Sequence, residues 1–258
     1  MTATVPAAPY PDPAFAPADW PTPMAQAIDA MIRRYGVDVP EHDPLRPPLA
    51  VFDWDDTSIQ GDISHEALSL LEARDPRGQV EAYRAACAED LYAAYRELVH
   101  TLVAGRTPEQ VRKLAIEALA VGREQGRLRL RPGMAELVAR MQARGWWVRV
   151  VTASPAVLVQ PLAGSYGIPP EHVLGMTSSM ERGRYLPVLE EPVPIGPGKL
   201  EVVRARLGRD PLFTAGDSRS DHALMAVSRY VLLRHAGDDD LHREASDRGW
   251  WILDSEVS

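Results

Sequence analysis

Three short, mostly apolar runs are each followed within two residues by a side chain that carries oxygen: Leu49-Ala50-Val51-Phe52, Trp146-Trp147-Val148-Arg149-Val150-Val151 and Leu212-Phe213-Thr214-Ala215. A run of this kind without polar alternation reads as a strand buried on both faces, the environment of a parallel sheet. Stretches of helical period separate the runs. Alternating strands and helices predict an α/β protein, a doubly wound parallel sheet with helices on both faces. Such sheets bind ligands beyond the carboxyl ends of their strands. The residues that follow each run are therefore the first candidates for chemistry.

The rest of the chain frames this core. Residues 1 to about 23 are rich in Pro and Ala and predict an extended arm. A helix is expected from about Pro23 to Tyr35, with Met24, Ile28, Met31 and Ile32 on one face. Between about Ile63 and Gly126 no comparable apolar strand occurs, and Ala, Leu, Glu and Arg recur with helical spacing. Breaks fall at Pro76-Arg77-Gly78 and near Gly105, where Thr107, Pro108 and Gln110 form a helix-start pattern. Three or four helices forming a separate cap are expected here. The predicted organisation is an arm and helix over 1–48, an α/β core over 49–61 and 132–258, and a helical cap over 62–131. After Pro132 the pattern predicts helices near 134–143, 156–166, 199–207 and 221–227, a short strand at 173–176, a hairpin around Gly183, and strands at 230–233 and after Gly249.

Charge and composition narrow the function. The 258 residues are 45% hydrophobic, enough for one large domain with an insert. The formal net charge is −8. No basic footprint of a nucleic-acid binder is visible, and the acidity disfavours an anionic membrane surface. The start has no basic segment followed by an apolar one, and no run approaches a membrane span, so a cytoplasmic protein is expected. A single cysteine, Cys87, forms no internal disulfide and reads as a small buried hydrophobe. An anionic phosphate ester would need the local potential reversed by a metal and a lysine.

The residues after the strands supply such a set. Asp53-Trp54-Asp55-Asp56-Thr57 follows the first, Thr152-Ala153-Ser154 the second, and Gly216-Asp217-Ser218-Arg219-Ser220-Asp221 the third. Two aspartates two residues apart can act as nucleophile and proton donor. A later carboxylate can complete a site for Mg2+, which takes oxygen ligands and keeps several waters. The Thr152 hydroxyl can donate to a phosphoryl oxygen. Lys199, opening a helix after Ile195-Gly196-Pro197-Gly198, is the fixed cation.

Together these motifs resemble the haloacid dehalogenase superfamily of phosphohydrolases. Asp53 to Thr57 matches its D-x-D-x-T motif, Val150-Val151-Thr152 its second, Lys199 its third and Gly216 to Asp221 its G-D-x-x-x-D motif. The resemblance spans about Leu49 to Leu233. It implies that Asp53 attacks phosphorus and that Asp55 protonates the leaving oxygen and later activates water. It implies that Asp53, the Asp55 carbonyl and Asp217 hold Mg2+ with support from Asp221, and that Thr152 and Lys199 hold phosphoryl oxygens. An acid at position 55 favours hydrolysis or phosphomutase chemistry over dehalogenation. The helical insert is similar to the phosphoserine phosphatase-like branch. There Asp62 corresponds to an acid that contacts the substrate amine, and Ala153 lies beside the phosphate. The stretch from Val51 to Glu66 with Thr152-Ala153-Ser154-Pro155 also resembles bacterial phosphorylcholine phosphatase-like proteins. The partner implied by the resemblance is a small phosphorylated metabolite bearing an amine or choline. Ala153 and Ser154 stand where many phosphoserine phosphatases have glycine, which argues against phosphoserine itself.

Structural alternatives accompany each residue. Asp221 also reads as an N-cap, Lys199 as a solvated helix start, Thr152 as a strand end, and Asp62 equally as a cap or a substrate contact. Trp54 reads as packing before it reads as a cation-binding face. Tyr83, Tyr92 and Tyr95 read as cap core or cap surface, and Asp238-Asp239-Asp240 with His242 as a solvated loop. Rival functions are a phosphomutase, a phospho-aspartate receiver and a silent binding protein.

Overall fold

The first apolar run forms β1 (Leu49–Phe52), and all four of its residues are buried. A computed structural model describes residues 15–40, 42–235 and 237–254; most of the Pro-rich arm lies outside them. A helix α1 (Thr22–Tyr35) precedes β1. After β1 comes a five-residue turn (Trp54–Ser58) in which Asp55 is extended and Asp56 is left-handed, then β2 (Ile59–Gln60). Four helices follow: α2 (Ile63–Arg74), α3 (Gln79–Glu89), α4 (Leu91–Val103) and α5 (Pro108–Glu124). The chain returns through β3 (Arg129–Leu130), paired antiparallel to β2.

The remainder alternates: α6 (Pro132–Ala143), β4 (Trp147–Pro155), α7 (Ala156–Ala163), β5 (Val173–Met176), the hairpin β6 (Ser178–Glu181) and β7 (Arg184–Leu189), α8 (Pro197–Leu207), β8 (Phe213–Gly216), α9 (His222–Val227), β9 (Tyr230–His235), α10 (Asp239–Arg248) and β10 (Trp251–Asp254). The main sheet has six strands in the order β10-β9-β8-β1-β4-β5, and every pairing in it is parallel.

Side-chain alternation along β1 divides the core. Ala50 and Phe52 join a cluster that includes Ile28 and Ile32 of α1, Leu137 of α6 and Leu158 of α7. Leu49 and Val51 point the other way, onto Val203 of α8 and Leu224 of α9. This is the doubly wound arrangement. The apolar faces of α2, α4 and α5 join the same cluster as Phe52, so the inserted helices share the core of the sheet. By contrast α3 buries none of its residues. Cys87 on that helix is only half-buried, against the expectation of a buried hydrophobe.

Two expected boundaries shift. The helix expected to reach Tyr166 ends at Ala163 and tightens into a short 3-10 turn (Gly164–Tyr166). The second run extends to Pro155, so Thr152, Ala153 and Ser154 lie within β4 and not beyond it. The extension exists because β5 pairs Met176 with Pro155 after a register shift. Among the described residues no helix is long and apolar enough to cross a membrane.

Because α1 is built into this core, with Ile28 and Ile32 fully buried, Ile28→Ala should cost about 2–5 kcal/mol. Urea unfolding should show a lower midpoint with an unchanged slope. A loss below about 0.5 kcal/mol would mean that α1 is only loosely draped.

Candidate active site

Sheet register brings the chemistry together. Phe52 pairs with Val150 on one side and Ala215 on the other. The carboxyl ends of β8 and β1 therefore lie beside Val150 of β4, and Asp217, Asp53 and Thr152 follow within two residues of that line. Asp53 N–H donates to the Ala215 carbonyl at 2.9 Å, and Ser58 Oγ donates to the Asp53 carbonyl at 2.5 Å. The backbone of Asp53 is thus fixed from two sides.

Lys199 is the third residue of α8 and is buried. The turn before it is close-packed. A Cβ added at Gly198 would lie 2.0 Å from the Val193 carbonyl oxygen, so only glycine fits. Lys199 Nζ donates to Asp53 Oδ1 at 2.7 Å and to Asp221 Oδ1 at 2.6 Å. Burial works against its ammonium, but the Asp221 and Asp53 carboxylates outweigh that and hold its pKa above the usual lysine value. Lys199 is therefore not the solvated helix-start residue that its position alone allows.

Asp221 departs from the capping alternative in the same way. Its side chain makes no cap bond to α9. Oδ2 accepts the N–H groups of Asp217 at 3.1 Å and Ser218 at 3.4 Å, while Oδ1 holds Lys199. A Cβ at Gly216 would meet the Asp221 Cβ at 2.6 Å, which explains the glycine there.

Oxygens of Asp53, Asp217 and Asp221 lie within 4.8 Å of one another. Thr57 Oγ1 lies 3.3 Å from Asp53 Oδ2 and 3.2 Å from Asp217 Oδ1, within donating reach of both. This all-oxygen set fits a hard divalent cation. Asp217 is the least buried of the three acids, while both Asp221 oxygens and Asp53 Oδ1 already accept donors. The Asp55 side chain is absent from this cluster. Its Oδ2 accepts from Ser154 Oγ at 2.7 Å and its Oδ1 from Ile63 N–H at 2.8 Å.

A cavity of about 220 Å³ opens over these groups, lined by Asp53, Asp55, Asp62, Thr152, Ala153, Lys199 and Asp217, with Tyr95 and Leu91 of α4 on the insert side. Thr152 Oγ1 accepts the Ser154 N–H at 3.0 Å, which leaves its proton for a ligand. Asp62 meets its capping reading. It caps α2, accepting from Ser64 N and His65 N at 2.7 and 2.9 Å, and it also faces the cavity. Tyr95 OH lies 3.5 Å from its other oxygen. His65 Nε2 is 2.9 Å from Tyr83 OH and 3.5 Å from Asp62 Oδ2. Trp54 is fully buried against Tyr166, as packing predicts. Asp238 caps α10 through Leu241 N–H. A larger cavity of about 470 Å³ near Arg149 and Arg206 is lined by none of the candidate residues; chemistry, not size, singles out the smaller one.

Thr57 and Ser154 are the functional neighbours that sequence reasoning left without roles. The available signal for Ser154 was its spacing of two from Thr152, which puts both on one face of β4.

A sequence model of haloacid dehalogenase-like hydrolases matches residues 50–226. The chain belongs to this family. No curated protein matches the sequence. Among solved structures, a protein of unknown function from Anaerococcus prevotii is similar at a TM-score of 0.75 and 18% identity, over 93% of this chain and 94% of that one. A Bordetella pertussis protein of unknown function has a TM-score of 0.67 and 20% identity, over 80% and 98%. A substrate-bound phosphoserine phosphatase has a TM-score of 0.56 and 17% identity, over 81% and 93%. The hydrolase fold of the phosphoserine phosphatase branch is thus shared over most of the chain.

Electrostatics sets the state of the acids. Burial, then Asp221, pushes Asp53 up to about 7 against the pull of Lys199. Burial, then Asp221 and Asp53, holds Asp217 well above the usual carboxylate range. Burial, then Asp62, raises Asp55 to about 8, while burial raises Asp62 to about 6 against its two cap N–H bonds. Each folded pKa lies above the unfolded value, so the folded chain binds more protons. The stability tied to these groups is full below about pH 4 and is lost as pH climbs through about 6 to 8. In metal-free protein the urea midpoint should fall between about pH 5 and about pH 8.5. Asp55→Asn should shrink that fall, and an unchanged fall would contradict the electrostatics described here.

Proposed function

We propose that the chain is a Mg2+-dependent phosphatase that hydrolyses a small phosphomonoester through a phospho-aspartate on Asp53. The observation that carries the reading is the convergence of Lys199, Thr152, Asp53 and Asp217 on one cavity. Phosphoryl transfer needs in-line positioning and neutralisation of the equatorial oxygens. Lys199 and Thr152 supply a cation and a hydroxyl for those oxygens. Asp53 is the nucleophile, held at one oxygen by Lys199 and at its backbone by β8. Asp55 carries a proton near neutral pH and is therefore suited to protonate the leaving oxygen, then to accept a proton from water in the second step.

Asp53 and Asp217 would hold Mg2+ with the Asp55 carbonyl, with Asp221 behind them. The ion would supply Lewis-acid neutralisation of phosphoryl charge and draw the buried carboxylates back to their ionised forms. A phosphoserine phosphatase of similar fold, solved as a phospho-aspartyl intermediate analogue, supports the covalent route.

The substrate in this reading carries an amine or quaternary ammonium. Asp62 and the Tyr95 ring stand at the insert side of the cavity, suited to a cation. Ala153 lines the wall beside the phosphate. Residues 62–131 act as the cap over this space, excluding water during the first step. The proposed setting is the cytoplasm, with a small phosphorylated metabolite and no nucleic acid as partner.

A panel of small phosphate esters with Mg2+ tests the reading. Wild type should release inorganic phosphate, and EDTA should abolish release until Mg2+ is restored. Asp53→Asn should lower turnover more than about a thousandfold. Conversion of a phosphosugar without phosphate release would instead indicate a mutase. Asp62→Asn keeps the helix cap but removes the charge. It should reduce kcat/KM for amino esters more than about tenfold, and far less for neutral ones. Equal losses on both would discard the amine contact.

A further inference from the structure

Ser154 has none of the roles given above, yet it is 1% exposed and sits at the centre of a buried polar chain. Its hydroxyl donates to Asp55 Oδ2 at 2.7 Å. Its Oγ also lies 2.7 Å from the Oγ of Ser64, a fully buried residue on the first turn of α2. Its N–H donates to Thr152 Oγ1. A serine hydroxyl has one proton and two lone pairs. With the Ser154 proton given to Asp55, Ser64 must donate to Ser154, so the chain runs one way from α2 through β4 to the carboxyl group. The other Asp55 oxygen accepts the Ile63 N–H, which also belongs to the start of α2. Both oxygens are therefore gripped, each by a route that begins on the first inserted helix.

A buried serine needs its hydroxyl satisfied, and any nearby carbonyl would do. Here the acceptor is the proton donor itself. With one lone pair on each Asp55 oxygen already used, only the lone pairs that neither donor touches are left for a proton or a ligand. Asp55 lines the cavity, within reach of a bound ester.

We propose that Ser154, backed by Ser64, is a positioning residue for Asp55: it fixes the carboxyl so that its proton meets the leaving oxygen, and it ties that proton transfer to the seating of α2. This rests on the reading of Asp55 as the proton donor. During P–O cleavage the proton passes from Asp55 to the departing alkoxide, the P–O electrons leave with that oxygen, and Ser154 keeps its own proton while the Asp55 carboxylate accepts from it.

Leaving-group dependence separates this role from a merely structural one. An aryl ester such as p-nitrophenyl phosphate departs as a stable phenolate and needs little protonation. An aliphatic ester such as 2-aminoethyl phosphate departs as an alkoxide and needs it fully. General acid catalysis contributes about 10²–10⁴-fold, and misorientation should forfeit part of that. Ser154→Ala should lower kcat/KM for aliphatic esters more than about tenfold and for p-nitrophenyl phosphate less than about threefold. Ser154→Thr, which keeps the hydroxyl, should recover most of the loss. Ser64→Ala should show the same selectivity more weakly, and it serves if Ser154→Ala does not fold. Equal losses on both ester classes, or no loss on either, would overturn the inference while leaving the phosphatase reading intact. A wild-type protein that hydrolyses neither ester would overturn both.

Discussion

Lys199 Nζ lies 2.7 Å from Asp53 and 2.6 Å from Asp221, and all three side chains are buried. Charges removed from water in this way persist only when paired and hydrogen-bonded. The requirement reaches far along the chain. It fixes the close-packed glycine turn that starts α8, the loop after β8 that closes on Asp221, and the end of β1. One ammonium cannot neutralise Asp53, Asp217 and Asp221 together. The surplus negative charge makes a divalent cation a natural complement, and the raised pKa values of Asp53 and Asp217 express the same surplus in its absence.

The inserted helices do more than cover this site. Their apolar faces merge with the core under β1. The first turn of α2 supplies Ile63 N–H and Ser64 to the neighbourhood of Asp55, and the cap residue of α2 is Asp62. One helix start therefore contributes both to the grip on Asp55 and to the cavity wall. Helix α3 buries no residue of its own but leans on the shared core through Val80 and Tyr83.

Much of this was legible in the sequence because it follows from local rules. Unalternated apolar runs marked the strands, and the polar residues after them marked the carboxyl edge. Thr107 and Gln110 formed the capping box that their spacing predicted. What escaped depended on partners distant in sequence. The extension of β4 to Pro155 is set by Met176, so a pattern that stopped at Val151 missed it. Asp221 kept a helix-cap alternative beside its metal-supporting role because no local signal reveals a lysine 22 positions earlier as its partner. Ser154 looked like a departure from a glycine pattern, since its acceptor, Asp55, lies 99 positions away. Asp62 could not be assigned to capping or to the cavity because it takes part in both.

The most direct test of the central claim is the covalent state of Asp53 during turnover. Protein mixed with a hydrolysable phosphate ester and Mg2+, then quenched in acid within milliseconds, should gain the mass of one phosphoryl group. Peptide mapping should locate that group on Asp53, with the label absent from Asp53→Asn. Phosphate release at full rate with an unmodified Asp53, or with the label on another residue, would contradict the account.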